Sequence, residues 1–358
     1  MSRYTTWHQR LVRIAEMGRT RALRTIVPTG PTTGRLEGRD VIIACSNDYL
    51  GLAWHPDVRA AATGAGSGGS RLISGSRPAH EQLEHALEDW LGRPALLFPS
   101  GYQANLAVFS TVCTADQSVA SDAANHASII DGLRLGRAQR TVVPHADAAA
   151  IPADTQLIVT EGLFSMDGDL PPLADYPSGP WLAVDEAHAI GCLGPGGRGA
   201  AAAAGVTPDI RIGTFGKAFG ASGAFVEGPP ELKQLLVNAG RSFIFTTAPP
   251  EPVAAMALAG LRAATDELRE RLMSNAHTLR VGLGQLGWPV LGDAHILPVV
   301  VGDRALDLSK QLLSRGVFAP AIRYPTVPVG TERIRLTASA AHTSTQLDRI
   351  LDAFGPHH

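Results

Sequence analysis

Lysine is nearly absent from this chain. Only Lys217, Lys233 and Lys310 occur among 31 basic residues, the rest being arginine. A site that needs only positive charge is filled by arginine here. A retained lysine therefore points to a need for an amine, because a guanidinium stays protonated and is a poor nucleophile. Cysteine is also scarce. Cys45, Cys113 and Cys192 are odd in number and far apart, which argues against a disulfide framework and a zinc site, so no metal is expected. No apolar run reaches the roughly 18 residues of a membrane span, and the start MSRYTTWHQRLVRIAEMG lacks the apolar core of a signal peptide. A cytoplasmic protein without membrane contact is expected. A formal net charge of −2 leaves no electrostatic footprint for nucleic acid.

What is present is an ordinary globular composition, 45% hydrophobic and 18% charged over 358 residues, enough for about two domains. Residues 1–25 read as a helix with Leu11, Ile14 and Ala15 on its apolar side, and the turn-rich 28–40 as a connection. Apolar runs at 41–45, 95–98, 118–121, 141–143, 156–160, 181–185, 210–214 and 223–227 read as strands, with helix-like segments such as 79–92, 101–112 and 126–137 between them. Strands apolar throughout and separated by helices predict an α/β fold, a mostly parallel central sheet sandwiched by helices. From about residue 250 the pattern changes. One long helix near 250–271, strands at 295–301 and 333–337, and helices near 305–315 and 344–354 predict a smaller C-terminal α+β domain. The expected partition is 1–39 for an N-terminal helix and connecting segment, 40–245 for the large domain and 246–358 for the small one.

Ligands in open α/β sheets sit at the carboxyl ends of strands, so polar residues just beyond apolar runs carry most weight. Asp185 ends WLAVD and His188 follows three residues later, spelling DEAH. A helicase box would need a phosphate loop ending in Gly-Lys-Ser/Thr, and none exists, because Lys217 is followed by Ala218. A structural cap remains the plain alternative for Asp185. FPSGYQAN (98–105) reads as strand, Ser100–Gly101 turn and helix start, an anion-binding arrangement. His126 follows another strand end. Lys217 follows IRIGT, among the small residues Gly216, Ala218, Gly220 and Ala221, which would let a flat ligand approach the backbone. Together these match pyridoxal 5'-phosphate: an amine for its aldehyde, a carboxylate for its pyridine nitrogen, an aromatic ring to stack on it and a helix end for its phosphate.

These residues lie in segments that resemble the α-oxoamine synthase family of fold type I pyridoxal phosphate enzymes. The likeness runs from about residue 40 to 350 through SNDYLGL (46–52), GSGGSRLISGS (66–76), FPSGYQAN, DAANHASIIDG (122–132), TEGLFSMDGDLPPL (160–173), VDEAHAIGCLGPGGRG (184–199), TFGKAFGASGA (214–224) and ERIRLTASAAH (332–342). It implies a decarboxylative condensation of an amino acid with an acyl thioester. Within the family, GSGGSRLISG and AIRYPTVPVG (321–330) point to L-alanine and a pimeloyl thioester, on CoA or acyl carrier protein. A sibling using glycine or serine with another acyl-CoA is the alternative. More distant rivals are an aminotransferase and a cofactor-free binding protein on the same scaffold. The resemblance implies that Lys217 anchors the cofactor, Asp185 binds its ring nitrogen, His126 stacks on the ring and His188 approaches its phenolic oxygen. Ser165 lies close by, and Ser100, Gly101, Tyr102 and Thr214 belong to the cofactor site. Thr246 and Thr247 would reach the phosphate of a neighbouring subunit in a homodimer. Asn47 and Arg335 would hold the amino-acid carboxylate. The Arg-rich 18–24 could meet an acyl carboxylate or carrier, the plainer reading being a solvated helix face.

Overall fold

The computed structural model describes residues 4–357; the first three positions of the expected N-terminal helix and the final His358 lie outside them. Seven strands build the central sheet: β4 (Ala95–Phe98), β5 (Ser118–Asp122), β6 (Gln139–Val143), β7 (Leu157–Glu161), β8 (Trp181–Asp185), β9 (Ile210–Thr214) and β10 (Ala224–Glu227), in the order β4-β10-β9-β8-β7-β5-β6. Pairing is parallel from β9 through β8, β7 and β5 to β6. Only β10 runs against both of its neighbours.

The inner apolar strands are buried on both faces, as β8 shows, whereas the edge strand β6 leaves Val142 exposed. Ala183 faces a core with Phe109, Ile129 and Leu133, whereas Leu182 and Val184 face a second core with Leu272, Leu279 and Leu283. Successive side chains point to opposite sides of a strand, so a run without polar residues requires cover on both. The helices Gly101–Val112 and Ala127–Gly136 pack on one face. Their close approach requires Gly132, where a Cβ would stand 2.8 Å from the carbonyl oxygen of Asn105.

Two smaller sheets lie beside the large one. Strands β11 (Ile296–Val300), β13 (Ala321–Ile322) and β14 (Arg333–Thr337) form one antiparallel sheet. The other joins β1 (Ile26–Pro28), β2 (Thr33–Leu36) and β3 (Arg39–Ile43) to β12 (Val317–Phe318), which runs parallel to β3. The segment 28–40 is therefore a pair of short antiparallel strands, not a connection. Strands this short carry too few apolar positions to stand out among Gly, Thr and Pro.

The N-terminal helix spans Thr5–Glu16 and buries no side chain; Trp7 and Leu11 remain about two-thirds exposed. The single helix expected near 250–271 is two helices, Glu251–Ala263 and Asp266–Gln285. Thr265 is extended between them, and the Arg269 guanidinium fixes the break by donating to the carbonyls of Ala264 and Gly191. No helix among the described residues is long and apolar enough to cross a membrane.

Candidate active site

The parallel strands β5, β7, β8 and β9 end on one edge of the sheet, and a cavity of about 740 Å³ opens there. Asp185 is the last residue of β8, Glu161 the last of β7, and the two are register partners. Lys217 enters from the loop after β9, His126 from the first turn of the helix Ala127–Gly136, and Gly101 from the start of the helix Gly101–Val112. Burial lowers the Lys217 ammonium from its usual range, against the opposing charges of Asp185 and Glu161. The Glu161 carboxyl is pushed well up, first by burial and then by the Asp185 charge. The site thus holds an amine shifted toward its neutral form beside one strongly anchored carboxylate.

Asp185 is fixed from two sides. Its Oδ1 accepts from the Ala187 backbone N–H at 3.0 Å, and its Oδ2 accepts from Asn105 Nδ2 at 2.7 Å. The helix that carries Asn105 begins at Gly101, which lines the cavity and where a Cβ would meet nothing within 4 Å; the first N–H groups of a helix have no intrahelical partner. Ser100 caps this helix by accepting from Gln103 N. Thr214 donates its hydroxyl proton to the carbonyl of Gly223 and accepts from Gly216 N. Tyr102 hydrogen-bonds Asp131 and sets its ring edge-on to His126.

Across the cavity, Arg335 donates to the carbonyl of Ser165, to Asn47 Oδ1 at 3.2 Å and to the Tyr49 hydroxyl at 3.4 Å. A guanidinium has five N–H donors. One remains on each terminal nitrogen, the pattern that receives a carboxylate in two parallel bonds. His188 is buried, and burial followed by the charges of Lys217 and Arg335 holds it well below the usual histidine range.

Of the residues expected from sequence, Lys217, Asp185, His126, His188, Ser165, Gly101, Tyr102, Thr214, Asn47 and Arg335 all line this cavity. Ser100 stands behind it as the helix cap. Thr246 and Thr247 do not line it: Thr246 receives a hydrogen bond from Gln103 Nε2, and Thr247 is exposed.

Asn105, Tyr49 and Glu161 were not foreseen, and Arg21 falls in the 18–24 segment for which a solvated helix face was the plainer expectation. Asn105 had a signal, since Gly101 and Asn105 are four apart and share one face of their helix. Arg21 reaches the cavity because the 18–24 segment is not a helix. Gly18 accepts from Arg323, and Arg19 lies 4.0 Å over the Tyr324 ring, next to Pro325 and Thr326 of the cavity wall. The small residues after Lys217 also serve a different purpose from the one expected. A Cβ on Gly220 would collide with the backbone of Leu52 and Ala53, and Ala218 packs against Gly191, so these positions fit chain to chain.

The donor set fits pyridoxal phosphate: an unpaired amine, an anchored carboxylate and an open helix start share one cavity. Among the described residues, no group of three or more His, Cys, Asp or Glu side chains could hold a metal ion.

Comparison with known proteins agrees with this chemistry. The family model for class I and II aminotransferases matches residues 39–354. The chain is similar to the 8-amino-7-oxononanoate synthase of Anaeromyxobacter sp. strain K, at 45% identity over 359 residues that cover 92% of this chain and 90% of that protein. Among solved structures it is similar to a serine palmitoyltransferase from S. paucimobilis with bound pyridoxal phosphate and myriocin. That likeness has a TM-score of 0.91 at 32% identity, covering 98% of this chain and 96% of the other. It is also similar to an 8-amino-7-oxononanoate synthase from Francisella tularensis, with a TM-score of 0.77 at 28% identity, covering 88% and 96%.

Proposed function

The chain belongs to the class I and II aminotransferase family, and on that footing we propose that it condenses L-alanine with a pimeloyl thioester to form 8-amino-7-oxononanoate and CO₂, releasing CoA or acyl carrier protein, a step of biotin synthesis. The observation that carries the reading is the one cavity that sets Lys217 beside Asp185 on one side and the Arg335 guanidinium, with two of its five donors free, on the other.

When bound, pyridoxal phosphate supplies an electron sink for negative charge at the amino-acid α-carbon. Asp185, held by Asn105 and Ala187, presents a carboxylate to the ring nitrogen. The helix start at Gly101 and Tyr102 offers N–H groups to the phosphate. Arg335 and Asn47 hold the alanine carboxylate and thereby orient its α-hydrogen. Lys217 Nζ anchors the cofactor and, once free, takes the α-proton, a task suited to an amine whose burial favours the neutral form. His126 covers one face of the ring. Arg21 places a cation at the cavity wall, which suits an acyl chain that itself ends in a carboxylate.

A homodimer completes this reading. Thr246 and Thr247, away from the chain's own cavity, then serve the neighbouring site, and the exposed apolar side chains of Trp7, Leu11 and Leu23 gain cover. A cytoplasmic location fits a biosynthetic enzyme of this kind. The structural likeness to serine palmitoyltransferase favours one second reading, a sibling that uses another amino acid and acyl-CoA.

Thiol release from pimeloyl-CoA by cofactor-loaded protein, with L-alanine, glycine and L-serine in parallel, separates the two. Release with L-alanine alone, together with the amino-oxo acid product, supports the proposal. Release only with another amino acid or another acyl-CoA replaces it by the sibling reading. Transfer of the amino group without thiol release from CoA or carrier protein leaves an aminotransferase.

A further inference from the structure

A hydrogen-bonded chain connects Asp185 to His126 through Asn105, which already holds Asp185, and Ser128, which the proposed reaction does not use. Asn105 Nδ2 donates both to Asp185 Oδ2 at 2.7 Å and to Ser128 Oγ at 2.8 Å. Asn105 and Ser128 are buried. Ser128 Oγ in turn lies 2.7 Å from His126 Nδ1. Donor accounting fixes the direction of this chain. A carboxylate only accepts, so the amide nitrogen of Asn105 faces Asp185, and the same nitrogen supplies its second hydrogen to Ser128. Ser128 then has its own hydroxyl hydrogen to give, and His126 Nδ1 is the acceptor.

A second bond requires the same assignment. His126 is the residue that caps the helix Ala127–Gly136, and Nδ1 accepts from the Ser128 backbone N–H at 3.3 Å. A hydrogen on Nδ1 would oppose both Ser128 donors at once. The ring must therefore carry its hydrogen on Nε2.

We propose that Asn105 and Ser128 are positioning residues that tie Asp185 to His126 and hold the His126 ring as the neutral Nε2–H tautomer. The link makes the orientation of the carboxylate and of the ring one unit, and it keeps a second positive charge off the cofactor face. The surroundings act in the same direction. Burial lowers the His126 pKa and the Lys217 charge adds to this, while Asp185 opposes. Glu161 accepts the His126 backbone N–H, and Tyr102 stands edge-on to the ring.

The idea rests on the proposed function only where it names Asp185 and His126 as cofactor contacts. Its test needs no turnover. Long-range proton–nitrogen NMR on cofactor-free protein labelled at histidine, with the His126 signals assigned by their loss in His126→Gln, reads the tautomer directly. The expected result near neutral pH is an unprotonated Nδ1 and a protonated Nε2. In Ser128→Ala the lost donor makes the neutral ring less favourable, so the His126 pKa rises by about 0.7, the equivalent of one ordinary hydrogen bond. Ser128→Thr keeps the hydroxyl and restores the wild-type titration, which a merely structural role for Ser128 would not require. An Nδ1–H tautomer or a charged ring in the wild-type protein overturns the proposal, whether or not the variants fold. An unchanged titration in folded Ser128→Ala overturns it as well. Either failure leaves the thiol-release result untouched, so the two readings fall separately.

Discussion

The phenol oxygen of Tyr49 lies 2.6 Å from Nδ1 of His188, and both side chains are buried. The same oxygen accepts from Arg335 and lies 3.0 Å from Asn47 Oδ1, so one hydroxyl joins the proposed carboxylate clamp to the histidine after Asp185. Burial pushes the phenol up to about 12 and holds His188 well below its usual range, so both partners are neutral. In Tyr49→Phe the ring still packs against His295, but Arg335 and His188 each lose a partner. A buried polar group left unpaired costs about 1–3 kcal/mol; felt in full at the clamp, this is a loss of about 5- to 160-fold in kcat/KM. Steady-state kinetics with varied L-alanine tests this, and an unchanged kcat/KM would remove Tyr49 from the clamp.

Lys217 makes a sharper demand. Neither alanine nor arginine can bond the cofactor aldehyde, and arginine also keeps a charge that the amine must shed to act as a base. Lys217→Ala and Lys217→Arg are expected to bind pyridoxal phosphate without the imine absorbance and to release thiol about 10²–10⁴-fold more slowly. The absorbance spectrum and the rate of thiol release are the two measurements. Wild-type turnover in Lys217→Arg would show that the amine is not needed.

The residues that sequence reading located share a local signature. Asp185 and Lys217 stand just beyond strands that are apolar throughout, and Gly101 opens a helix after such a strand, so strand ends alone pointed to the site. Asn105 and Tyr49 lacked that signature. The Asn105–Ser128 contact exists because Gly132 lets two helices meet, and the Tyr49 contact because the chain at 47–49 lies against β14, and neither is written locally. Of the short strands in 26–43, β3 was legible as the apolar run 41–45, whereas β1 and β2 were hidden for a related reason. The β12 strand of their sheet lies far along the chain, and Leu36 alone is too brief a pattern to read. The break at Thr265 had a local signal, because Thr265 followed by Asp266 and Glu267 is a helix start. The reach of Arg269 to Gly191 then secures it from outside the helix, a contact no local pattern shows.

Gly220 and Gly216 separate packing from site chemistry within one loop. Gly220 has φ +63° and no room for a Cβ against the backbone of residues 52–53, and backbone cannot swing aside as a side chain does. Gly220→Ala is expected to destabilise the protein by about 3 kcal/mol or more. At Gly216 the nearest atom to a Cβ is Thr214 Oγ1 at 3.6 Å, an ordinary contact, so Gly216→Ala should fold normally. Thermal unfolding of the two variants side by side checks the contrast, and equal stability would refute it.

His145 gives the fold a dependence on pH that can be worked out from geometry. Its Nδ1 lies 2.9 Å from Asp122 Oδ1 and its Nε2 2.8 Å from Asp169 Oδ2. Both carboxylates accept, so both ring nitrogens donate only when the imidazole is protonated, and the pair pushes its pKa up to about 10. The value in an unfolded chain is about 6.5. Because the folded state holds the proton more tightly, the contribution to stability is complete below about pH 6.5 and is lost as pH rises toward 10. The bridge joins the end of β5 to the turn Phe164–Asp169 that carries Ser165, and it is partly open to water, so we expect about 1–2 kcal/mol from it. That corresponds to a decline in Tm of about 1–3 °C across this range beyond the decline seen in His145→Gln. Glutamine keeps one polar contact but cannot carry the charge. Parallel Tm–pH curves for the two proteins would mean that His145 is neutral in the folded state and that the turn is held by Arg333, which grips Asp167 and the Met166 carbonyl from the opposite side.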